Sequence, residues 1–238
     1  GSEMCIRDSQ GAIAVAIKTV TIEMIPSSEM EEPMGEVWAL LVGINRYAHV
    51  ESLRFAEADA TAFHRLLRDR CKVPEDHIRL LLGKEATLAA LRAGLEWLSQ
   101  TVEAGDTLLF YFAGHGTFVQ DKNGDEEDGV DECLLPFDAD PDSLSETTLL
   151  DDELGNWVNG LSTKAVVLIL DVAHGGGFEL PQGVSIAPGG ETELAWEKEE
   201  LGHGVLTYFL LRGLGLRESR RRTSTPTEWS LWESSGTT

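Results

Sequence analysis

The chain has 238 residues, room for one large domain or two small ones, and 42% are hydrophobic, which supports a buried core and argues against global disorder. Its 19 basic and 41 acidic residues leave a net charge of −22. That opposes nucleic acid or an anionic membrane surface as partners, since both need a basic face, and suits basic partners, divalent cations or plain solubility.

Three cysteines, Cys5, Cys71 and Cys133, form neither a CxxC pair nor a disulfide framework, so a reducing cytoplasm is the expected compartment. No apolar run approaches the roughly 20 residues that span a bilayer. Residues 11–25 come nearest to a signal segment, but Lys18 and Glu23 interrupt them and no basic stretch stands in front. Gly1-Ser2 reads as the remnant of a removed tag, and residues 3–10 carry no periodicity.

In chain order, Val15 to Ile25 alternates loosely as an extra strand, and Pro26 to Gly35 reads as a polar linker. Val37 to Gly43 is a short apolar run suited to a strand buried on both faces. Glu57 to Arg70 carries Ala58, Ala62, Phe63, Leu66 and Leu67 at helical spacing. His77 to Leu82 is a second strand. Thr87 caps a helix through Leu88, Leu91, Leu95 and Leu98. Thr107 to Phe112, Ala165 to Leu170 and Val184 to Ala187 read as further strands, and His203 to Leu214 as a last helix. Strands alternating with helices predict an α/β fold with a mostly parallel sheet covered on both faces. Residues 217–238, with Arg220 to Arg222, Ser, Thr and Pro, read as a flexible basic tail.

Functional groups in parallel α/β sheets collect beyond the carboxyl ends of the strands. There the chain reads Ala113-Gly-His115-Gly-Thr117 after one strand, Asp171-Val-Ala173-His-Gly-Gly-Gly177 after another, and Gly43-Ile-Asn45 after the first. Glycines flanking a histidine let it project into a cleft. Singly each piece is weak, and a lone Gly-His-Gly is more often a plain turn.

Together, YFAGHGT and LILDVAHGGG resemble the histidine and cysteine motifs of caspase-like cysteine peptidases (clan CD, family C14) of the metacaspase/orthocaspase kind. Those typically read Ser/Ala-Gly-His-Gly and Asp-Ser-Cys-His-Ser-Gly. His115 precedes position 173 by 58 residues, near the roughly 50 of caspases. GIN at 43–45, EADA at 57–60, DGVDECLLPFDAD at 128–140, LLDDEL at 149–154, ELAWE at 193–197 and HGVLTYFLLRGL at 203–214 extend the likeness over residues 36–216. The resemblance implies a caspase-like α/β/α sandwich, with a large-subunit-like region at 36–180, a small-subunit-like region at 181–216, an N-terminal segment at 1–35 and the tail at 217–238. An α/β-hydrolase is disfavoured, because no Gly-x-Ser-x-Gly elbow occurs.

The resemblance also assigns roles. His115 is the general base, backbone N–H groups near Gly116 and position 173 form an oxyanion hole, and Asp171 with Asp59 lines a pocket for arginine or lysine (Arg/Lys) before the scissile bond. It implies protein or peptide substrates, no cofactor in the chemistry, and calcium as a candidate activator at Asp131, Asp151 and Asp152. Asp121 to Glu132 is not an EF-hand loop, since Glu126 stands where glycine is required. Two residues depart from the pattern. Ala173 occupies the cysteine position and Val172 the serine before it. Without a thiol the chain binds substrate and does not cleave it. Either an engineered substitution or a natural pseudo-peptidase acting as a binding module accounts for this. A chain with cysteine restored is expected to cut itself at the tail arginines or at Lys198.

Overall fold

The computed structural model describes residues 6–8, 11–13, 35–124, 126, 129–172, 178, 181–188 and 197–215. The strand expected at Val15 to Ile25, all of the linker but Gly35, position 173 and the basic tail lie outside the described residues.

Chain order begins with a short antiparallel hairpin, β1 (Ile6–Asp8) and β2 (Gly11–Ile13). It falls partly in the stretch read as aperiodic: three-residue strands are too short to print a period. Then come β3 (Val37–Gly43), α1 (Ala56–Arg65), β4 (Ile78–Leu82), α2 (Leu88–Thr101) and β5 (Thr107–Ala113). They are followed by β6 (Gly116–Gln120), β7 (Val130–Leu134), α3 (Leu144–Thr147), β8 (Leu149–Leu150), α4 (Asp151–Asn159) and β9 (Ala165–Asp171). The described chain closes with β10 (Val184–Ile186), β11 (Glu197–Lys198), β12 (His203–Gly204) and α5 (Val205–Gly213).

The main sheet has the order β10-β9-β5-β3-β4, with every neighbouring pair parallel. Side-chain alternation divides its core in two. Leu40, Val42, Leu108, Phe110, Phe112, Leu168 and Leu170 face α2 and α4. Ala39, Leu41, Leu109, Tyr111 and Ile169 face α1 and α5. Both sets are buried, so the strands read as continuous apolar runs, and the architecture is an α/β/α sandwich with a parallel central sheet.

Three boundaries differ from the sequence expectation. The helix expected over Glu57 to Arg70 is α-helical only to Arg65, then widens to a π-helical turn over Leu66–Arg70. There the Cys71 N–H donates to the Leu66 carbonyl at 3.2 Å, five residues back, before Lys72 turns left-handed at φ 61°. His77 belongs to a 3₁₀ turn after Pro74. The last helix begins at Val205, because His203 and Gly204 pair with Lys198 and Glu197 instead.

The acidic stretch after His115 holds a second sheet, β6-β7-β8, antiparallel throughout. Residues 130–134 are its middle strand, and Asp131 and Glu132 are buried there. The stretch around them reads as solvent-facing because carboxylates are rarely buried.

Candidate active site

The site grows from the ends of β5 and β9. Ala113 and Asp171 are register partners on adjacent parallel strands, so the segments leading to His115 and to position 173 leave the sheet side by side. The Gly114 N–H reaches the Asp171 carbonyl at 3.4 Å. Gly114 has to be small here: a Cβ would lie 2.6 Å from Tyr47 Oη and 2.7 Å from the Phe112 ring.

His115 is half-buried and held from two sides. Its backbone N–H donates to Tyr47 Oη at 2.7 Å, and the two rings lie 4.9 Å apart. Burial holds the Tyr47 phenol above its ordinary value, so it stays protonated. The imidazole Nε2 lies 2.9 Å from the Glu51 carbonyl. A carbonyl only accepts, so Nε2 carries the proton, and in the neutral ring Nδ1 is the proton acceptor. That is the tautomer a general base with a free Nδ1 requires. Gly116 opens β6 directly after it, in register with Leu134.

Asp59 and Asp171, 112 positions apart in sequence, lie together beneath α5. Asp171, the last residue of β9, is 7% exposed, and Asp59, in the first turn of α1, is 2% exposed. Asp171 Oδ2 accepts from Thr207 Oγ1 at 2.6 Å and from the Thr207 N–H at 3.2 Å. Thr207 Oγ1 also lies 2.7 Å from Tyr111 Oη. Asp59 pairs with His203 Nδ1 and accepts from the Gly204 N–H at 2.9 Å. Gly204 sits between the two carboxylates: a Cβ there would lie 2.3 Å from Asp171 Oδ2 and 3.1 Å from Asp59 Oδ2. Burial pushes the Asp171 carboxyl up to about 6, and the neighbouring Asp59 and Glu197 charges add to it against the Thr207 hydrogen bonds. Burial also raises Asp59, opposed by His203 and the Gly204 N–H. The two carboxylates are thus buried side by side, each already held by donors of segment 203–207. Each ionised carboxylate offers roughly four lone-pair sites, so the donors on segment 203–207 leave acceptor capacity.

A family description, the metacaspase peptidase C14 domain, matches residues 38–180, more than half of the chain. The chain belongs to the metacaspase family. It is 34% identical to Metacaspase-3 of Arabidopsis thaliana over 61% of this chain and 41% of that protein. It is 31% identical to Metacaspase-1 of the same plant, over 63% and 42%, and 32% identical to Metacaspase-1 of Plasmodium falciparum, over 58% and 23%. It therefore spans about two-fifths or less of the curated relatives it matches. A crystal structure of a Geobacter sulfurreducens protein overlaps 58% of this chain and 50% of its own at 26% identity and a TM-score of 0.47.

For this metacaspase the calcium candidates form a separate acidic patch. Asp131 lies on β7, and Asp151 and Asp152 open α4. Asp151 is pushed up to about 7 by burial and by the Glu132, Asp131 and Asp152 charges. Its Oδ1 is buried with no hydrogen-bond partner, while Asp152 Oδ2 accepts from Asn123 Nδ2 at 2.7 Å. Oxygen-only donors fit a hard cation. Among the described residues no three acidic, histidine or cysteine side chains converge as a ligand set, so the patch fits calcium in chemistry and not as a closed cage.

Of the candidates read from sequence, the structure describes His115, Gly116, Asp171, Asp59, Asp131, Asp151 and Asp152, and brings Asp171 to Asp59; Ala173 lies outside. Tyr47, Glu51, His203 and Thr207 were missed. Each reaches the site through a contact distant in sequence, and His203, although flanked by Gly202 and Gly204 on β12, was read only as the start of the last helix.

Proposed function

We propose that this chain is the peptidase domain of a metacaspase whose parental activity is endopeptidase cleavage after arginine or lysine by a histidine–cysteine dyad. In this reading Ala173 makes the present chain a binder of basic peptides rather than a cleaving enzyme. The observation that carries the specificity is the convergence of Asp171 and Asp59, both buried, beside the strand ends that lead to His115 and position 173. With cysteine at 173, His115 Nδ1 would take the thiol proton and the thiolate would attack the scissile carbonyl carbon. The Gly116 and residue-173 N–H groups would hold the oxyanion. Collapse would expel the amine, which takes the proton back from the imidazole, and water activated by His115 would release the acid from the thioester. The deciding experiment is Ala173→Cys assayed on peptides with Arg, Lys or Asp before the scissile bond.

The alternative is a natural pseudo-peptidase that keeps the pocket to bind. Val172 favours it: it is buried where relatives place serine, a second loss beside the missing thiol. The division into large- and small-subunit-like regions at about residue 180, and a cytoplasmic location, belong to the peptidase reading. Self-cleavage at the tail arginines stays within it. Lys198 is a poor site: its carbonyl accepts the Leu201 and Gly202 N–H groups at 3.0 and 3.1 Å, a tight turn rather than the extended strand a peptidase binds.

Calcium enters this proposal as a stabiliser of the acidic patch, with no part in the chemistry. Asp151's raised value means the proton-linked stability it supplies is present below about pH 4 and lost as pH rises through about 7. Asp151→Asn is therefore expected to stabilise the protein at pH 8 by roughly 1–2 kcal/mol after discounting for partial exposure. That is a melting shift of roughly 2–8 °C. Millimolar calcium should raise the melting temperature of the parent and add little to Asp151→Asn. Thermal unfolding of both proteins with calcium and with chelator checks this, and melting curves indifferent to calcium would remove the ion from the proposal.

A further inference from the structure

Helix α1 starts without a cap of its own. The N-cap position is Phe55, which makes no side-chain capping bond and has no acceptor to offer the unpaired N–H groups there. Two acceptors come from outside the helix: Asn45 Oδ1 for the Glu57 N–H and, from the far end of the chain, Glu197 for the residues that lead into it. The Glu197 carboxylate takes the Phe55 N–H at 2.8 Å and the Arg54 N–H at 3.1 Å to each oxygen. This puts a negative charge at the positive end of the helix dipole.

The capped segment is also the end of a cross-braced loop. The Arg54 carbonyl accepts from Asn45 Nδ2 at 3.2 Å, and the Asn45 carbonyl accepts the Leu53 N–H at 2.7 Å. Asn45 Oδ1 accepts the Glu57 N–H at 3.1 Å, while Glu57 Oε1 accepts the Asn45 N–H at 3.3 Å. Glu51 lies within this loop, and its carbonyl is the group that meets His115 Nε2. Glu197 thus stands at one end of a hydrogen-bonded frame and the His115 imidazole at the other.

We propose that Glu197 is a positioning residue for His115: by capping α1 it holds the 45–55 loop so that the Glu51 carbonyl keeps the imidazole proton on Nε2 and leaves Nδ1 free as the base. This rests on the reading of His115 as the general base. The neighbouring Arg54–Glu199 ion pair does not do the same work, because its side chains are 61% and 72% exposed and exposed pairs contribute little. The hairpin of β11 and β12 that carries Glu197 also carries His203 and Gly204, the partners of Asp59. One small element therefore braces both the base and the basic-residue pocket.

The test uses nitrogen-15 NMR of the His115 ring in the chain as it stands, with Ala173. The parent should show Nε2 protonated and Nδ1 unprotonated at neutral pH. Glu197→Ala should shift both nitrogens toward a mixture of tautomers. Glu197→Gln, which keeps a carbonyl acceptor, should recover most of the parent pattern, and Glu199→Ala should leave it intact. If Glu197→Ala does not fold, Glu197→Asp, whose carboxylate is one methylene short, takes its place with the same expected direction. In the Ala173→Cys protein, Glu197→Ala should lower kcat about tenfold, the rate equivalent of one lost cap, and leave KM within about twofold. A folded Glu197→Ala protein with the parent tautomer pattern and parent kcat overturns the inference. An Ala173→Cys protein that cuts no basic peptide overturns the peptidase reading alone, and the tautomer measurement still decides the role of Glu197.

Discussion

Ala173→Cys is expected to give a chain that cleaves arginine and lysine peptides, with kcat rising on the order of 10⁴- to 10⁶-fold, the span that removal of a nucleophile costs in a dyad or triad. The size of the effect follows from chemistry rather than packing. Alanine offers no atom that can form the acyl intermediate, so an intact His115 has no proton to take and an intact pocket has nothing to deliver. Fluorogenic peptides with Arg, Lys or Asp before the scissile bond, with and without calcium, measure it. In the cysteine protein, His115→Ala should abolish the gain. Turnover by the parent chain that disappears with His115→Ala would show that Ala173 is not the nucleophile position. A folded cysteine protein that binds basic peptides and cuts none, with Val172→Ser added as well, would establish the binding-module alternative.

The main sheet was legible because β3, β5 and β9 are apolar runs ended by glycine or a charged residue, and burial on both faces demands that composition. The cap at Thr87 was legible because it is local: Thr87 Oγ1 accepts the Ala90 N–H at 3.2 Å. His115 and Asp171 were legible through their motifs at strand ends, and the placement of Asp59 beside Asp171 followed from family likeness rather than from any period.

The partners of these residues were not legible. Asp59 pairs with His203, 144 positions away, and the Phe55 N–H at the start of α1 is taken by Glu197, 142 positions away. A side-chain contact across such a separation leaves no pattern in either segment. The β6-β7-β8 sheet was hidden for a different reason. Its acidic strand buries Asp131 and Glu132, against the composition that normally marks a strand.

Asp171→Asn is expected to cost the restored enzyme about 10²- to 10⁴-fold on arginine peptides, the loss that follows when one member of a buried ion pair is removed. The same substitution should act on stability in the opposite sense. A carboxyl raised to about 6 in the folded state, against roughly 3.9 unfolded, supplies proton-linked stability that is fully present below about pH 4. That stability is lost as pH rises through about 6, a swing of about 3 kcal/mol. Asparagine cannot ionise and still accepts from Thr207, so the stability difference between pH 4 and pH 8 should shrink by a similar amount. In the proposed pocket function runs the other way with pH. There a guanidinium would be held by the ionised carboxylate, so benzamidine, which mimics the arginine side chain, should bind the present Ala173 chain progressively more weakly below about pH 6, approaching tenfold per unit. Calorimetric titration from pH 5 to 8, with urea unfolding over pH 4 to 8 for parent and Asp171→Asn, reads both limbs. Stability lost and affinity gained over the same pH interval is the signature of a carboxylate kept buried for its ligand rather than for the fold. A residue retained only to hold Thr207 would give affinity independent of pH and equal rates on arginine and aspartate peptides, and either result would remove Asp171 from the pocket.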